Sequence, residues 1–297
     1  MGFFDGVHRG HGALMERAKE RARELDAEPA VLTFDRHPDL FVKGWPVELI
    51  CSAADRAYIL NRWFGLRNIY YIHFNAETMR MDWRDFLRHV RESYGAVHFV
   101  VGFDFRFGDG GRGDPEKLTA YCRENGLGCD VIPPVMLGDA PISSTRIREK
   151  LREGDMAAAA ELLGHPHLLT DVVRTGFRLG RTMDFPTVNM RFEEGVLIPR
   201  RGVYAARVQL PDGPRNGVTN IGVRPTFHGD RVTVETNIFG CDADLYGQRL
   251  CVELHAFLRP ERRFDSQAEL RAQIARDAAA ARELLGERPS ESAPGAL

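Results

Sequence analysis

At 297 residues, with 43% hydrophobic and 28% charged residues, the chain has the composition of a globular protein large enough for two domains. Its net charge of −2 and pI near 6.6 give no electrostatic basis for binding nucleic acid or an anionic membrane. No apolar run approaches the roughly 20 residues that span a bilayer, and the first residues lack the pattern of a signal peptide.

The first half of the chain alternates helical and strand patterns. Helices are predicted over Ala13–Asp26, Ala53–Trp63, Trp83–Tyr94 and Pro115–Asn125, and strands over Ala30–Phe34, Ile69–His73, Val97–Gly102 and Cys129–Ile132. Strands separated by helices of 10–15 residues are typical of βαβ units. The pattern therefore predicts an α/β domain whose parallel sheet has helices on both faces.

The second half changes character after two further helices, Thr145–Glu153 and Met156–Leu163. Short β-rich segments follow, at Leu168–Thr175, Gly202–Gln209, Arg215–Ile221, Thr233–Ile238 and Leu250–Leu258, and then a long helix, Ser266–Leu285. This spacing predicts a small antiparallel β-barrel with a C-terminal helix. We expect domains at 1–160 and 161–286, and a disordered tail at 287–297 because that segment is rich in Pro, Ser, Glu and Gly.

Five cysteines are spread along the chain, at positions 51, 122, 129, 241 and 251, and no two form a Cys-x-x-Cys pair. An odd number at wide spacing argues against a disulfide framework or a zinc site. The pattern predicts reduced thiols in a cytoplasmic protein.

The segment from Phe3 to His11 is a glycine-bearing loop at the start of the first helix. Gly6 and Gly10 allow backbone amides to approach a ligand closely, and a helix N-terminus favours negative charge. His8 and His11 can donate hydrogen bonds to phosphate oxygens and stabilise the charge that develops in nucleotidyl transfer. The alternative is that both are ordinary loop histidines.

A second candidate phosphate site is the segment Ile-Ser-Ser-Thr-Arg-Ile-Arg at 142–148. Ser143, Ser144 and Thr145 place hydroxyls at a helix N-terminus, and Arg148 follows one turn later. An ordinary N-cap explains the hydroxyls equally well. The presence of both motifs in an α/β context favours an enzyme that binds nucleotide phosphates.

These two motifs resemble the HxGH nucleotidyltransferase superfamily. Two further stretches, Thr33–Pro38 and Val101–Gly108, are similar to those of bacterial bifunctional riboflavin kinase/FMN adenylyltransferases, or FAD synthetases. The resemblance implies a Rossmann-like domain that transfers AMP from ATP to FMN and releases pyrophosphate. It also implies that ATP phosphates bind to His8, His11, Ser144 and Arg148. The residues that it places near the flavin or nucleotide are Phe34, His37, Pro38, Asp104 and Phe107.

Another glycine-containing run begins at Gly176. Together with Gly180 and Arg181 it forms a loop able to wrap around phosphates. Thr187 and Asn189 alternate along an extended segment, so their neutral oxygens lie on one face and can complete a Mg²⁺ shell with waters and phosphate oxygens.

Glu235 lies in an otherwise uncharged strand and is a candidate general base for a substrate hydroxyl. On pattern alone, the glycine run is more often a turn and a strand glutamate is more often solvated. The run nevertheless resembles the riboflavin kinase signature, and residues 202–205, 217–226, 244–247 and 263–265 also match that family. The resemblance implies transfer of the ATP γ-phosphate to the ribityl hydroxyl of riboflavin, with Mg²⁺-ATP held by Thr187 and Asn189 and the hydroxyl activated by Glu235.

Three positions depart from the family pattern. Asp184 stands where glycine is usual and Val188 where alanine is usual. Asn237 stands where histidine is common, and this difference is expected to have no effect on activity. A carboxylate beside a phosphate loop either repels ATP or joins the metal shell. We therefore predict a bifunctional enzyme that uses ATP and Mg²⁺ to make FMN and FAD. The alternatives are that only one activity is retained, or that the chain is a non-catalytic flavin-binding protein.

The expected partners are small molecules, without nucleic acid or membrane, and the expected state is a monomer or weak homo-oligomer. A glycine-bearing loop of the first type normally follows a β-strand, and here the loop starts almost at Met1. The expectation from this position is a true start about 15–25 residues upstream, enough for a strand and its lead-in.

Overall fold

The computed structural model describes residues 1–42, 47–174, 186–226, 229–241 and 243–286. They form two compact units, Met1–Arg146 with Leu162–Gly164, and Ile147–Glu161 with the described residues from His165 onward. The division passes through a helix, so the boundary near residue 160 stays a prediction. The predicted tail lies outside the described residues.

Alternating helices and strands build the first unit. Its helices, within the described residues, are α1 (Arg9–Glu24), α2 (Pro38–Val42), α3 (Ala53–Phe64), α4 (Ala76–Arg80), α5 (Trp83–Tyr94), α6 (Pro115–Glu124) and the start of α7 (Ser144–Glu153). Its strands are β1 (Ala30–Phe34), β2 (Asn68–Ile72), β3 (His98–Gly102) and β4 (Gly128–Ile132), with a hairpin of β5 (Met136–Leu137) and β6 (Ala140–Pro141). The sequence pattern does not predict α2, α4 or the hairpin, because such short elements carry too little periodicity.

The strands of the first unit pair in parallel, β1 with β2 and β3 with β4. The first two residues of the chain lie between these pairs. The amino group of Met1 donates to the carbonyl oxygen of Val100 in β3 at 2.8 Å, and the N–H of Gly2 donates to that of Leu32 in β1 at 3.2 Å. Helices α1 and α6 pack against β3 and β4. The parallel pairing agrees with the predicted α/β class.

The core of the first unit gathers apolar side chains from the strands and from α5 and α6. On α5, Phe86, Leu87 and Val90 are buried because they recur on one face of the helix. They pack with Val101 of β3 and Leu118 of α6. This core supports the carboxyl ends of β1 and β3, where predicted flavin residues lie.

An antiparallel sheet forms the second unit, in the strand order β7-β12-β9-β10-β11-β8 within the described residues. The strands are β7 (His167–Val172), β8 (Thr187–Met190), β9 (Gly202–Leu210), β10 (Gly213–Thr226), β11 (Gly229–Ile238) and β12 (Arg249–Arg259), and α8 (Met156–Leu163) precedes them. The two edges meet where the N–H of Arg174, just after β7, donates to the carbonyl oxygen of Asn189 in β8 at 2.9 Å. This curled sheet confirms the predicted barrel-type fold.

The C-terminal helix α9 (Gln267–Leu285) begins at the N-cap Ser266, whose hydroxyl accepts a main-chain N–H, and ends at Gly286 with φ +82°. Its Ala278 and Ala281 pack with Ala205 of β9. Small residues on both sides allow the helix to approach one face of the sheet closely. No helix among the described residues combines the length and the apolarity needed to cross a bilayer.

Candidate functional site

The two histidines of the first motif lie at the N-terminus of α1. His8 is the N-cap, and its Nδ1 accepts the main-chain N–H of His11 at 3.3 Å. In the neutral ring of His8 the hydrogen is therefore on Nε2. Gly10 leaves room for this ring, since a Cβ at Gly10 would lie 3.0 Å from its Cε1 and Nδ1 atoms.

The imidazoles of His8 and His11 stack on each other, with ring centroids 3.6 Å apart and planes 15° apart. Phe4 meets the His11 ring edge-on at 5.2 Å. Burial, with further contributions from the nearby His8 and Arg56, lowers the pKa of His11 well below its usual value. Its Nδ1 is buried and has no hydrogen-bond partner among the described residues. His11 is therefore a neutral ring near pH 7, with one donor and one acceptor nitrogen.

The turn that precedes His8 has an unusual backbone. Gly6 has φ +72°, and the non-glycine residues Phe4 and Val7 have φ +59° and +40°. Such conformations cost energy in residues with a Cβ, so other contacts must hold them. A Cβ at Gly6 would also lie 2.8 Å from Cγ2 of Ile50, which disfavours a larger residue there.

Residues before α3 fix this turn from one side. The carboxylate of Asp5 accepts the N–H of Ile50 at 2.8 Å, and the N–H of Gly6 donates to Sγ of Cys51 at 3.2 Å. Burial raises the pKa of the Cys51 thiol, so it is a neutral acceptor. The Gly6 amide thus bonds within the protein, and its contact with a phosphate stays a prediction.

The second motif meets the first. The hydroxyl of Ser144 donates to the carbonyl oxygen of Asp5 at 3.3 Å, although the two residues are 139 positions apart. Ser143 Oγ accepts the N–H of Arg146 at 3.5 Å near the start of α7, and the side chain of Thr145 is exposed. Arg148 follows one turn into α7. The structure therefore brings the serines of the second motif to the turn before the histidines.

Predicted flavin residues cluster after β1. Phe34 ends β1 and meets Phe74 edge-on at 5.4 Å. The His37 ring packs edge-on against Phe3 at 4.5 Å, and Pro38 begins α2. His37 therefore contacts the residue that opens the histidine loop.

The other two flavin candidates lie after β3 and differ in exposure. Asp104 is exposed, whereas Phe107 is buried in the core, with its ring 5.8 Å from that of Phe86 and 5.3 Å from that of Phe105. The segment also presents Phe103 to solvent at 52% exposure. The sequence motif does not single out Phe103, because burial cannot be read from three phenylalanines at alternate positions.

The pairing of β8 with β11 brings together the candidates of the second unit. Asn189 pairs with Glu235, and Thr187 pairs with Asn237. Because paired residues share a face and side chains alternate along each strand, these four residues lie on one face of the sheet. Val188 lies on the opposite face.

The sheet adds two residues that sequence reasoning does not identify. On the side away from β8, Glu235 pairs with Asn220 of β10. A Cβ at Gly222 would lie 2.1 Å from a carboxylate oxygen of Glu261 and 3.1 Å from Nδ2 of Asn220, so Glu261 lies over the same face. Asn220 lies in the family-like stretch 217–226, but nothing in its local sequence marks it as a site residue, and Glu261 follows β12 without any such signal.

Thr187 and Asn189 fit a magnesium–nucleotide complex better than a bare ion. The described residues contain no group of three or more His, Cys, Asp or Glu side chains able to hold a metal. Hydroxyl and amide oxygens suit Mg²⁺ when phosphates supply the negative charge. A cavity of about 60 Å³ beside β8 is lined by these two residues together with Asp244 and Tyr246. The candidate phosphate loop, with Gly176, Gly180, Arg181 and Asp184, lies outside the described residues.

Two family profiles match the chain, one in each half. FAD synthetase matches residues 1–146, and riboflavin kinase matches residues 163–285. Their order along the chain is the predicted one.

Curated relatives extend over nearly the whole chain. The bifunctional riboflavin kinase/FMN adenylyltransferase of Escherichia coli (strain K12) is 36% identical over 289 residues, which are 96% of this chain and 92% of the relative. The protein of that name from Bacillus subtilis (strain 168) is 33% identical over 282 residues, 93% of this chain and 89% of the relative.

A solved structure, described as a macrolide-efflux protein from Streptococcus pneumoniae, is 30% identical with a TM-score of 0.79, and the match covers 95% of this chain and 92% of that one. The predicted family, fold class and pair of enzyme activities are confirmed by the family profiles and the curated relatives. The chain belongs to the family of bifunctional riboflavin kinase/FMN adenylyltransferases.

Proposed function

We propose that the first unit joins FMN to the AMP part of ATP at the turn where the two phosphate motifs meet. An oxygen of the FMN phosphate attacks the α-phosphorus of ATP, and the bond to the pyrophosphate oxygen breaks, so FAD and pyrophosphate are formed. The hydrogen bond from Ser144 to Asp5 carries this proposal, because it unites the hydroxyl motif with the histidine loop. Groups assigned to the phosphates are Gly6, Gly10, Ser143, Ser144, Thr145 and Arg148.

His8 and His11 act on the transferred phosphate by hydrogen bonding and need no covalent intermediate. Their stacking at 3.6 Å disfavours two positive charges, so at least one ring is neutral. Nδ1 of His11 is buried and has no hydrogen-bond partner in the part of the chain that the structure describes, which costs stability and favours a functional role for this nitrogen. Flavin binding is assigned to Phe34, His37, Pro38, Asp104 and Phe107.

The second unit phosphorylates riboflavin on the sheet face that carries Glu235. The β8–β11 register supports this, because it places that carboxylate opposite Asn189. Glu235 accepts the proton of the terminal ribityl hydroxyl, the oxygen bonds to the γ-phosphorus of ATP, and ADP leaves. Magnesium neutralises phosphate charge when bound, and Thr187 and Asn189 would hold it with the nucleotide. Gly176, Gly180 and Arg181 are assigned to the phosphates from their sequence pattern.

Supplying riboflavin and FMN separately, each with ATP and Mg²⁺, tests both sites in one chain. Replacing His11 with Ala is expected to abolish FAD formation and leave FMN formation intact, whereas Glu235→Gln is expected to do the reverse. If riboflavin yields no FMN in the unmodified chain while FMN yields FAD, the kinase assignment fails and Asp184 becomes the first position to change to glycine. If neither product forms but flavins bind, the non-catalytic alternative holds.

The remaining assignments concern the setting of the enzyme. We propose a cytoplasmic protein, consistent with five reduced cysteines, that acts on small molecules without nucleic acid. Its net charge of −2 favours neither a polyanion nor an anionic membrane surface. The proposed state is a monomer or weak homo-oligomer, with domains at 1–160 and 161–286. Size-exclusion chromatography with light scattering tests the oligomeric state.

A further inference from the structure

Arg56 of α3 is an arginine in an unusual environment. Arg56 is only 2% exposed. Its guanidinium donates to two main-chain carbonyl oxygens, that of Phe3 and that of Phe34, the latter at 2.9 Å. Its Nε is buried without a hydrogen-bond partner among the described residues. Burying a guanidinium against neutral carbonyls is costly, so a purely structural advantage is a weak explanation.

The two carbonyls belong to the two segments that form the predicted adenylyl-transfer site. Phe3 opens the histidine loop, and Phe34 ends β1 at the predicted flavin position. The guanidinium also stacks on the ring of Phe3, with its carbon 4.4 Å from the ring centroid, and lies 5.6 Å from that of Tyr71. One planar side chain thus connects both segments by directional bonds and by aromatic contact.

The neighbouring structure holds Arg56 rigidly. The preceding turn starts α3 with a capping box, in which Ser52 Oγ accepts the N–H of Asp55 and the Asp55 carboxylate accepts the N–H of Ser52. Arg56 follows directly, so its backbone is fixed at the first turn of the helix. On the other side, the hydroxyl of Thr33 donates to the same Phe3 carbonyl oxygen at 3.0 Å. The Phe3 carbonyl oxygen thus accepts two hydrogen bonds, which fix the position at which the strained turn begins.

We propose that Arg56 is a positioning residue for adenylyl transfer, which fixes the histidine loop against the carboxyl end of β1. The proposal rests on the proposed function of the first unit, and it assigns Arg56 no contact with ATP or FMN. Arg56 acts through Phe3, which leads into the loop of His8 and His11, and through Phe34.

The charge of Arg56 has a second effect, on the protonation of His11. The pKa of His11 is lowered first by burial and then by two charged or titratable neighbours, His8 in the same loop and Arg56 from α3. Arg56 bonds to the carbonyl oxygen of Phe3, and the ring of the next residue, Phe4, meets His11 edge-on. A fixed cation at position 56 therefore lies close enough to favour the neutral form of His11. Removing it raises the pKa of His11, whereas a lysine at 56 preserves much of the effect.

The experiment compares Arg56→Met and Arg56→Lys with Arg62→Met, which changes an arginine in the last turn of the same helix. FAD formation from FMN and FMN formation from riboflavin are measured on the same full-length samples, and the His11 imidazole is titrated by NMR. For Arg56→Met we expect a loss of roughly tenfold to a hundredfold in kcat for FAD formation, the usual scale for misplaced catalytic groups, and an upward shift of the His11 pKa. FMN formation is expected to stay within about twofold, because the kinase site lies on residues of the other unit.

Lysine keeps the charge but cannot bond to both carbonyls with a planar fork. Arg56→Lys is therefore expected to lose FAD activity while leaving the His11 titration near that of the unmodified chain, and it supplies the decisive comparison if Arg56→Met does not fold. FAD formation within twofold of the unmodified chain in the lysine variant overturns the proposal. An equal fall in both activities overturns it as well, since that shows general destabilisation. A chain that makes no FAD before mutation instead contradicts the proposed function.

Discussion

The hydroxyl of Ser144 donates to the carbonyl oxygen of Asp5 at 3.3 Å. Asp5 belongs to the turn directly before His8, the N-cap of α1, and Ser144 begins α7. This bond therefore joins the two helix N-termini to which the sequence motifs assign phosphate binding. Two such termini side by side create a larger electropositive region than either alone, which suits a triphosphate.

Replacing Ser144 with Ala should lower kcat/KM for FAD formation by about tenfold, corresponding to the loss of roughly 1–1.5 kcal/mol from one hydrogen bond. Steady-state assays with FMN and ATP measure the change. FMN formation from riboflavin by the same sample is the control and should not change. Unaltered FAD kinetics in this variant would argue against a role for the Ser144–Asp5 contact.

Gly6→Ala should destabilise the first unit for two reasons. Its backbone, at φ +72°, disfavours a Cβ by about 1–2 kcal/mol, and the new atom would lie 2.8 Å from Cγ2 of Ile50. Gly65→Ala is a matched control, because Gly65 has φ +67° but its Cβ would contact no described residue other than its neighbours along the chain within 4 Å. Denaturant unfolding should show a larger loss at Gly6, by about 1 kcal/mol or more from overpacking. Equal losses in the free energy of unfolding for the two variants would mean that the Ile50 side chain moves away without an energetic cost.

His167 should make the stability of the second unit depend on pH. It is 2% exposed, and burial, with a smaller contribution from His165, lowers its pKa to about 3. Below pH 6.5 His167 becomes protonated in the unfolded chain, whereas in the folded chain it stays neutral down to about pH 3. Stability therefore falls as the pH drops through this window, by about 1.4 kcal/mol for each unit.

Denaturant unfolding of the second unit at pH 7.5, 6.5 and 5.5, with and without the substitution His167→Leu, isolates this contribution. The leucine variant should lose less stability on acidification than the unmodified chain. Parallel pH profiles for the two proteins would show that His167 is not responsible.

The ion pair of Arg259 and Asp277 should hold α9 on the barrel. Arg259 Nη2 lies 2.7 Å from Asp277 Oδ2, and the Asp277 residue is 5% exposed. Asp277→Ala leaves a mostly buried guanidinium without its carboxylate and should destabilise the second unit by about 3 kcal/mol. Changing Arg259 to Met and Asp277 to Leu together should cost less than the single change. A lower melting temperature for the double variant than for Asp277→Ala would contradict this expectation.

Sequence patterns predict the long elements well, and their failures have physical causes. The strand Ala30–Phe34 and the helix Trp83–Tyr94 agree with the structure residue for residue. The strand is a short apolar run with three consecutive buried residues, and the helix carries buried side chains at a helical period. The helix α1 starts at Arg9, earlier than the predicted Ala13, because His8 rather than a serine or aspartate is its N-cap. The five-residue α2 and α4 have too few turns to show a period.

Local sequence also determined the chemistry available to each unit. Histidines and hydroxyls at helix starts, and a threonine and an asparagine at alternate strand positions, can be read from neighbours within a few residues. Only the tertiary structure decided which of these groups meet. Glu235 stands opposite Asn189 through strand register, Ser144 reaches Asp5 through the packing of α7, and Arg56 connects Phe3 with Phe34. Such contacts depend on the closure of long loops and on the burial of whole elements, which no local spacing encodes.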